Sequence, residues 1–256
     1  MLQEKFISEI RNHTKFRIEP FLSLFFSCSK QKEYHLYDIV LSDGSVLNIN
    51  DYESYSGKAK PMAVIFSLTG ASSEEKVRVI GVGLYGEPDG GIAFTEDGSS
   101  GDNTNFIFNQ SAVLEQEMDF ATLKFINSGF VGALDGRKSF DNVSRRDKNA
   151  RKKIHSIYPA FSFAEEYGKN FSYKRYKDGW YLPSIAELYE LFINIDEVNG
   201  VIELIGGDKI QNETWSSSQV YKHRDGQYLL DMNTGEVQIS FKDIKAHVRS
   251  VYCFKD

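Results

Sequence analysis

The sequence predicts an α+β protein, and three observations carry that expectation. Ser184 and Glu187 stand at the spacing of a capping box and open a stretch in which Ile185, Leu188, Tyr189, Phe192 and Ile195 recur at helical intervals. Residues 227–232 and 236–241 are strand-like runs that flank the compact turn Asn233-Thr234-Gly235. The first half of the chain holds further β-rich runs separated by Asp-Gly and glycine-rich turns.

The gross numbers bound the answer. The chain has 256 residues, enough for one large domain or two small ones. Its 19 Phe and 14 Tyr are a heavy aromatic load, which suits a β-rich core and a wet binding surface alike. A net charge of −6 argues against general nucleic-acid binding, which wants a basic surface. Two cysteines, Cys28 and Cys253, cannot make a disulfide scaffold or a four-thiolate zinc site.

In chain order, the first distinctive stretch is Phe21-Leu22-Ser23-Leu24-Phe25-Phe26-Ser27-Cys28. It is too short to span a bilayer, which needs about 20 apolar residues. It resembles the end of a bacterial lipoprotein signal peptide, with Leu24 to Cys28 as a loose lipobox and Arg11, Lys15 and Arg17 as the positive flank. Glu19 and Pro20, set against the apolar run, depart from that pattern. The resemblance implies lipidation of Cys28, which leaves Cys253 unpaired. It also implies a signal segment over 1–28, a linker over 29–37 and a single domain over 38–256.

Residues 38–41 and 46–49 flank Asp43-Gly44 as a hairpin, and 62–68 and 76–84 read as two more strands. Gly81-Val82-Gly83-Leu84-Tyr85-Gly86 matches G-x-G-x-x-G. No helical period follows it, so it reads as the glycine-rich end of a strand and not as a dinucleotide site. Residues 86–105 read as loop, and Glu96, Asp97 and Asp102 within it lack the spacing of a calcium-binding loop. Met118, Ala121, Thr122 and Phe125 recur at helical spacing, so a helix is expected over 111–127. The basic run Arg145, Arg146, Lys148, Arg151, Lys152 and Lys153 is expected as an exposed helix face.

Pro159 and Gly168 bracket a short helix. After the capping-box helix, Val201, Ile202, Leu204 and Ile205 mark a second helix that stops at Gly206-Gly207. In the final hairpin Val237, Ile239 and Phe241 point one way and Glu236, Gln238 and Ser240 the other, so the first set is expected in the core. Residues 248–254 form the closing strand, and Trp180 and Trp215 read as core anchors.

Four motifs now stand in order: Tyr158-Pro159-Ala160; Gly179-Trp180-Tyr181-Leu182-Pro183-Ser184 with Glu187-Leu188; Trp215-Ser216-Ser217-Ser218; and Val248-Arg249-Ser250-Val251. In this order they resemble the Lcl C-terminal-like domains of bacterial, spirochaete-type surface lipoproteins. The likeness is specific over 155–254 and looser over 36–110. It implies a C-type-lectin-like fold, a twisted and mostly antiparallel sheet with two main helices, preceded by additional N-terminal strands. It also implies lipid anchoring in the cell envelope, facing outward, and an adhesin-like role.

Departures limit what carries over. Glu87-Pro88-Asp89 lies upstream of both main helices and no Trp-Asn-Asp occurs, so calcium-dependent sugar binding is not expected. Formylglycine-generating enzymes resemble the same fold but use paired cysteines, and only Cys253 lies in that region. His13, His35, His155, His223 and His247 show no metal-ligand spacing, and no nucleophile-elbow motif occurs. The expectation is therefore a protein without catalysis, metal or cofactor that binds a protein or glycan ligand and no nucleic acid. The expected contact surface is Ser217, Ser218, Gln219, Tyr221, Lys222, His223, Arg224, Asp225 and Tyr228, a polar and aromatic mixture suited to binding loops. The rival readings are an enzyme of the formylglycine-generating type and a structural envelope protein with no soluble ligand.

Overall fold

The computed structural model describes residues 33–69, 77–87, 90–99, 113–119, 124–131, 134–171, 174–220 and 224–255, with 113–119 and 124–131 described by backbone alone. Strands β1 (Ile39–Leu41) and β2 (Val46–Leu47) form the hairpin expected at Asp43-Gly44, where Gly44 takes φ 82°, a value that suits glycine. They join β3 (Pro61–Thr69), β4 (Arg78–Gly83) and the closing strand β12 (Val251–Lys255) in a five-stranded sheet of order β12-β4-β3-β1-β2, antiparallel at every pair.

The near-continuous apolar run of β3 has a reason, because both of its faces are covered. Val64 and Phe66 enter one core with Ile80 and Val82, while Met62, Ala63 and Ile65 enter another with Tyr167, Tyr176 and Trp180. On that second face, a Cβ at Gly81 would lie 2.7 Å from the Phe254 ring and one at Gly83 2.6 Å from the Tyr167 ring. The G-x-G spacing thus makes room on alternate positions of a strand for two aromatic rings.

A second antiparallel sheet holds β8 (Glu213–Gln219), β9 (Gly226–Asp231) and β10 (Val237–Phe241) in the order β10-β9-β8. Short strands β5 (Ile92–Ala93) and β11 (Lys245–Ala246) pair with each other. The helices are α1 (Ser139–Arg146), α2 (Ile154–Ile157), α3 (Pro159–Glu166, with proline in its first turn), α4 (Ile185–Ile193) and α5 (Ile195–Leu204). Leu188, Leu191, Val198, Val201 and Ile202 of α4 and α5 fill the core between the first sheet and Leu230 of β9. The opposite face of the second sheet presents Trp215 and Leu229 to a separate core with Phe94, Phe140, Tyr158 and Phe161. Trp180 and Trp215 are both buried. The protein is thus α+β, with mostly antiparallel sheets and several helices.

The helix expected over 111–127 is not there. Strands β6 (Val113–Asp119) and β7 (Lys124–Val131) pair as an antiparallel hairpin. Two of the four positions that suggested a helix, Met118 and Phe125, are cross-strand partners. A short apolar window fits both periods, and the aromatic and β-branched residues of β7 pair better than they coil. The basic run is likewise not one helix face. Arg145 and Arg146 end α1, and Lys148, Arg151, Lys152 and Lys153 stand exposed on the turn that follows, around the buried Ala150. Asp147 between them is buried and accepts the Tyr158 hydroxyl at 3.1 Å.

Candidate functional site

The segment that leads into α4 is held by one carboxylate. Glu187 Oε1 accepts from Arg78 Nη2 at 2.8 Å and from the Tyr181 hydroxyl at 2.9 Å. Its Oε2 accepts from the backbone N–H of Ser184 at 2.9 Å and of Gly136 at 3.0 Å. Ser184 Oγ closes the capping box by accepting from Glu187 N at 3.2 Å and donates to the Leu134 carbonyl at 2.8 Å. Glu187 is 2% exposed, so four donors replace the water it has lost. Burial, and then the Glu187 charge, hold the Tyr181 hydroxyl far above its ordinary range and keep it a donor. Burial works against the Arg78 charge, but the bond to Glu187 outweighs it and secures that charge.

Gly136 and Tyr181 of this network also line a partly open cleft of about 350 Å³. Gly136 and Arg137 line it from the turn before α1, Phe140 from α1, Phe161 and Glu165 from α3, and residues 178–182 close it. Asp135 Oδ2 accepts from both Arg137 Nε at 2.8 Å and Arg137 Nη2 at 2.6 Å, a charge-assisted pair. Burial works against the Asp135 charge, but the Arg137 bonds outweigh it and lower its pKa. Glu165 has no such partner, and burial raises its pKa.

Sequence reasoning missed a second polar constellation. Ser162 Oγ lies 2.7 Å from His155 Nδ1, and His155 Nε2 lies 3.3 Å from Glu166 Oε1. The residue types suggest a nucleophile, base and orienting acid. Ser162, however, is 4% exposed and sits inside α3 beneath the imidazole. In this position the chain of contacts clamps α2 onto α3. No periodicity marks it, because the three residues meet only once the two helices fold against each other.

The expected contact surface divides. Cys28, Tyr221, Lys222 and His223 lie outside the described residues. Ser217, Ser218 and Gln219 are buried and belong to the scaffold instead of the surface. Ser217 N donates to the Pro183 carbonyl at 2.7 Å, Ser218 Oγ accepts from Ile185 N at 3.1 Å, and Gln219 Nε2 donates to the Arg224 carbonyl at 3.0 Å. The side-chain polarity of Ser218 and Gln219 serves these bonds and so gave a false signal of exposure, whereas Ser217 Oγ is buried without a hydrogen-bond partner among the described residues. Arg224 and Asp225 are exposed, and Tyr228 is half-buried on β9.

Tyr228 has company that the sequence placed in the core. It is the cross-strand partner of Ile239, and Gly226 is the partner of Phe241, so Tyr228, Ile239 and Phe241 share one face. Leu230 and Val237, farther along that face, do pack in the core. Helix α4 crosses the sheet diagonally. Its first residue bonds Ser218 at one corner, and Phe192 near its end crowds Gly235 at the opposite corner, so that a Cβ there would lie 2.3 Å from the ring. The corner holding Ile239 and Phe241 stays open, and these side chains are 61% and 62% exposed. The alternation was read correctly, but the cover is incomplete. β10 is also the edge of its three-stranded sheet.

No helix among the described residues is long and apolar enough to cross a membrane. Among the described residues, no cluster of three or more His, Cys, Asp or Glu is disposed to hold a metal ion. No protein-family model matches the sequence, and the search of curated proteins returns no match. Among solved structures the chain is similar to a fimbrial protein from Bacteroides ovatus, with a TM-score of 0.53 and 13% identity, over 85% of this chain and 48% of that one. The chain spans about half the length of that structure. At 13% identity the likeness bears on the fold alone.

Proposed function

We propose that this is a non-catalytic cell-surface protein that binds a partner, a protein in preference to a glycan, through the open corner of its second sheet. The observation that carries the reading is the pair Ile239 and Phe241, more than half exposed on an edge strand beside Tyr228. An edge strand offers unpaired backbone N–H and C=O groups, and alternate apolar side chains on one face add specificity to such pairing. Arg224 and Asp225 stand exposed at the end of the same hairpin and supply a polar rim. The C-type-lectin-like fold of the Lcl C-terminal-like domains remains our reading of the finer architecture, supported by the four ordered motifs over 155–254. Envelope anchoring through Cys28, facing outward, is supported by the lipobox-like segment and by the resemblance of the four motifs to surface lipoproteins.

The test is an array of immobilised glycans and surface proteins probed with wild type and with the double variant Ile239→Lys/Phe241→Lys. The expected result is a protein hit lost in the variant, with an unchanged denaturation midpoint. Hits that survive both this variant and Arg224→Ala would remove the site. Palmitate labelling of the full chain, wild type against Cys28→Ala, tests the anchor separately.

A further inference from the structure

The two larger sheets have four edges, and three of them carry a feature that discourages further pairing. β2 is two residues long. β12 bears Lys255 and a register shift between Cys253 and Lys255. β8 is covered, because Trp215 N donates to the His247 carbonyl, His247 N to the Glu213 carbonyl and Ser217 N to the Pro183 carbonyl. Short length, charge, a bulge and a cover are the usual guards of a sheet edge. Among the described residues β10 has none of them. Val237-Gln238-Ile239-Ser240-Phe241 holds no charge and no proline, and it pairs with β9 without a register shift.

The ladder fixes which backbone groups this edge offers. Asp231 N donates to the Glu236 carbonyl at 2.9 Å and Lys242 N to the Asp225 carbonyl at 3.1 Å, at the two ends of one unbroken register. In an antiparallel pair only alternate residues exchange bonds with a given neighbour. The even-numbered residues therefore turn their backbone groups to β9, and Ile239 and Phe241 turn theirs outward. Among the described residues the Ile239 N–H and C=O and the Phe241 N–H have no hydrogen-bond partner. The Phe241 carbonyl accepts from Ile244 N at 3.3 Å and keeps a second lone pair. Ile244 is itself half exposed, so it extends the apolar patch of Ile239 and Phe241 past the end of the strand. The exposed charges around the strand are ordered. Glu236 stands at its start, and Arg224 and Lys245 stand near its end with Asp225 and Asp243. None of Glu236, Arg224 and Lys245 has an ion pair among the described residues.

We infer that the occupant of this edge is a second copy of the same strand, paired antiparallel about a two-fold axis at Ser240, which joins two three-stranded sheets into one of six strands. The inference rests on the proposed reading of the open corner as a protein-binding surface and gives that surface its partner. The register is self-complementary. It sets Ile239 opposite the second copy's Phe241, and the reverse, so the outward backbone groups of both residues are exchanged and four apolar side chains meet on one face. It also brings Glu236 to the end of the second strand, where Arg224 and Lys245 stand, and the two-fold axis repeats the contact. A parallel pairing would set Glu236 beside Glu236 instead. A single five-residue edge is smaller than a standard interface, so the dimer is weak and reversible.

Sedimentation velocity on the full chain tests the association, and disulfide trapping tests the register. The wild type is expected to pass from monomer at about 10 μM toward dimer at about 1 mM, and Ile239→Lys/Phe241→Lys to stay monomeric. Both side chains are more than half exposed, and circular dichroism checks that the variant is folded. In a Cys28→Ser/Cys253→Ser background, Ser240→Cys lies on the axis, where the two Cα atoms of a non-hydrogen-bonded pair are about 4.5 Å apart and a disulfide can close. Gln238→Cys lies about 13 Å from its own copy and cannot be bridged. Crosslinked dimer is expected from the first and not from the second. A monomer at every concentration, association retained in the double lysine variant, or equal trapping at both cysteine positions overturns the inference. A monomeric chain whose array hit is still lost in the lysine variant gives the corner to a different protein: the second copy is then excluded and the proposed surface stands. A monomeric chain whose array hits survive that variant removes both.

Discussion

Glu187 links three segments far apart in sequence, accepting from Arg78 on β4, from Gly136, and from Tyr181 and Ser184 at the head of α4. Its truncation strands the Arg78 guanidinium and three neutral donors together. Glu187→Ala is therefore expected to lower stability by about 3–5 kcal/mol, read from the urea midpoint, and Glu187→Gln by less because it keeps one acceptor. A shift within about 0.5 kcal/mol in Glu187→Ala would mean that the network is incidental. Glu165 is the opposite case. Burial raises its folded pKa above the ordinary 4.5, despite the Arg151 and Lys169 charges and with the Asp141 and Glu166 charges adding to the rise. The folded state then binds this proton more tightly than the unfolded chain. Its stabilising contribution is complete below pH 4.5 and is lost as pH rises through the folded value. Glu165→Gln is thus expected to raise the melting temperature at pH 7 and to lose that advantage at pH 4. An equal gain at both pH values would sink this account. The capping role of Glu187 was legible because it spans three residues of chain. Its bond to Arg78 was not, and neither was the isolation of Glu165, since both depend on which distant segments arrive beside them.

Strands and helices were legible wherever the period was long and the caps were local. The α4 capping box, Pro159 at the start of α3, and the β1–β2 and β9–β10 hairpins all lie where local chemistry placed them. The β6–β7 hairpin was not legible, because a few apolar positions fit two periods and cross-strand pairing decided between them. The G-x-G of β4 shows the same limit. Its meaning is the Tyr167 and Phe254 rings packed against that strand, not a turn. The Tyr167 hydroxyl donates to the Met62 carbonyl at 3.1 Å and accepts from Leu84 N at 2.6 Å, so the ring has little freedom to withdraw. Gly83→Ala is accordingly expected to destabilise by about 1–3 kcal/mol in chemical denaturation. A neutral result would mean that the ring moves aside freely.

At the scale of the molecule, the last strand closes the sheet that the first strands begin. β12 pairs with β4, with Val251 opposite Val82 and Cys253 opposite Ile80. The core under α4 and α5 takes Val64, Phe66, Ile80 and Val82 from the first 90 residues and Leu230 and Val251 from the last 30. The motif-bearing region 155–254 therefore lacks Ile39, Leu41, Val64, Phe66, Ile80, Val82 and Leu84 of that core when cut free. A fragment of residues 155–256 is expected to show no cooperative thermal transition and poorly dispersed amide NMR signals, whereas a chain that begins near Tyr34 is expected to fold. A well-dispersed spectrum from the short fragment would contradict this view of the core. Because the open corner draws on residues from that shared frame, binding tests belong on the longer chain.

By itself, the sequence determined which residues could share a face: the α4 stripe, the 237–241 alternation, the capping box and the tight turns. These follow from backbone periods and local hydrogen bonds, which are set within a few residues. Tertiary structure alone decided which faces would be covered. It buried Ser217, Ser218 and Gln219, left Ile239 and Phe241 open, and set Glu165 and Asp178 in a cleft without partners. A period fixes direction relative to the neighbouring residue. Burial and charge pairing depend on what packs against that direction, and here the packing comes from segments tens of residues away.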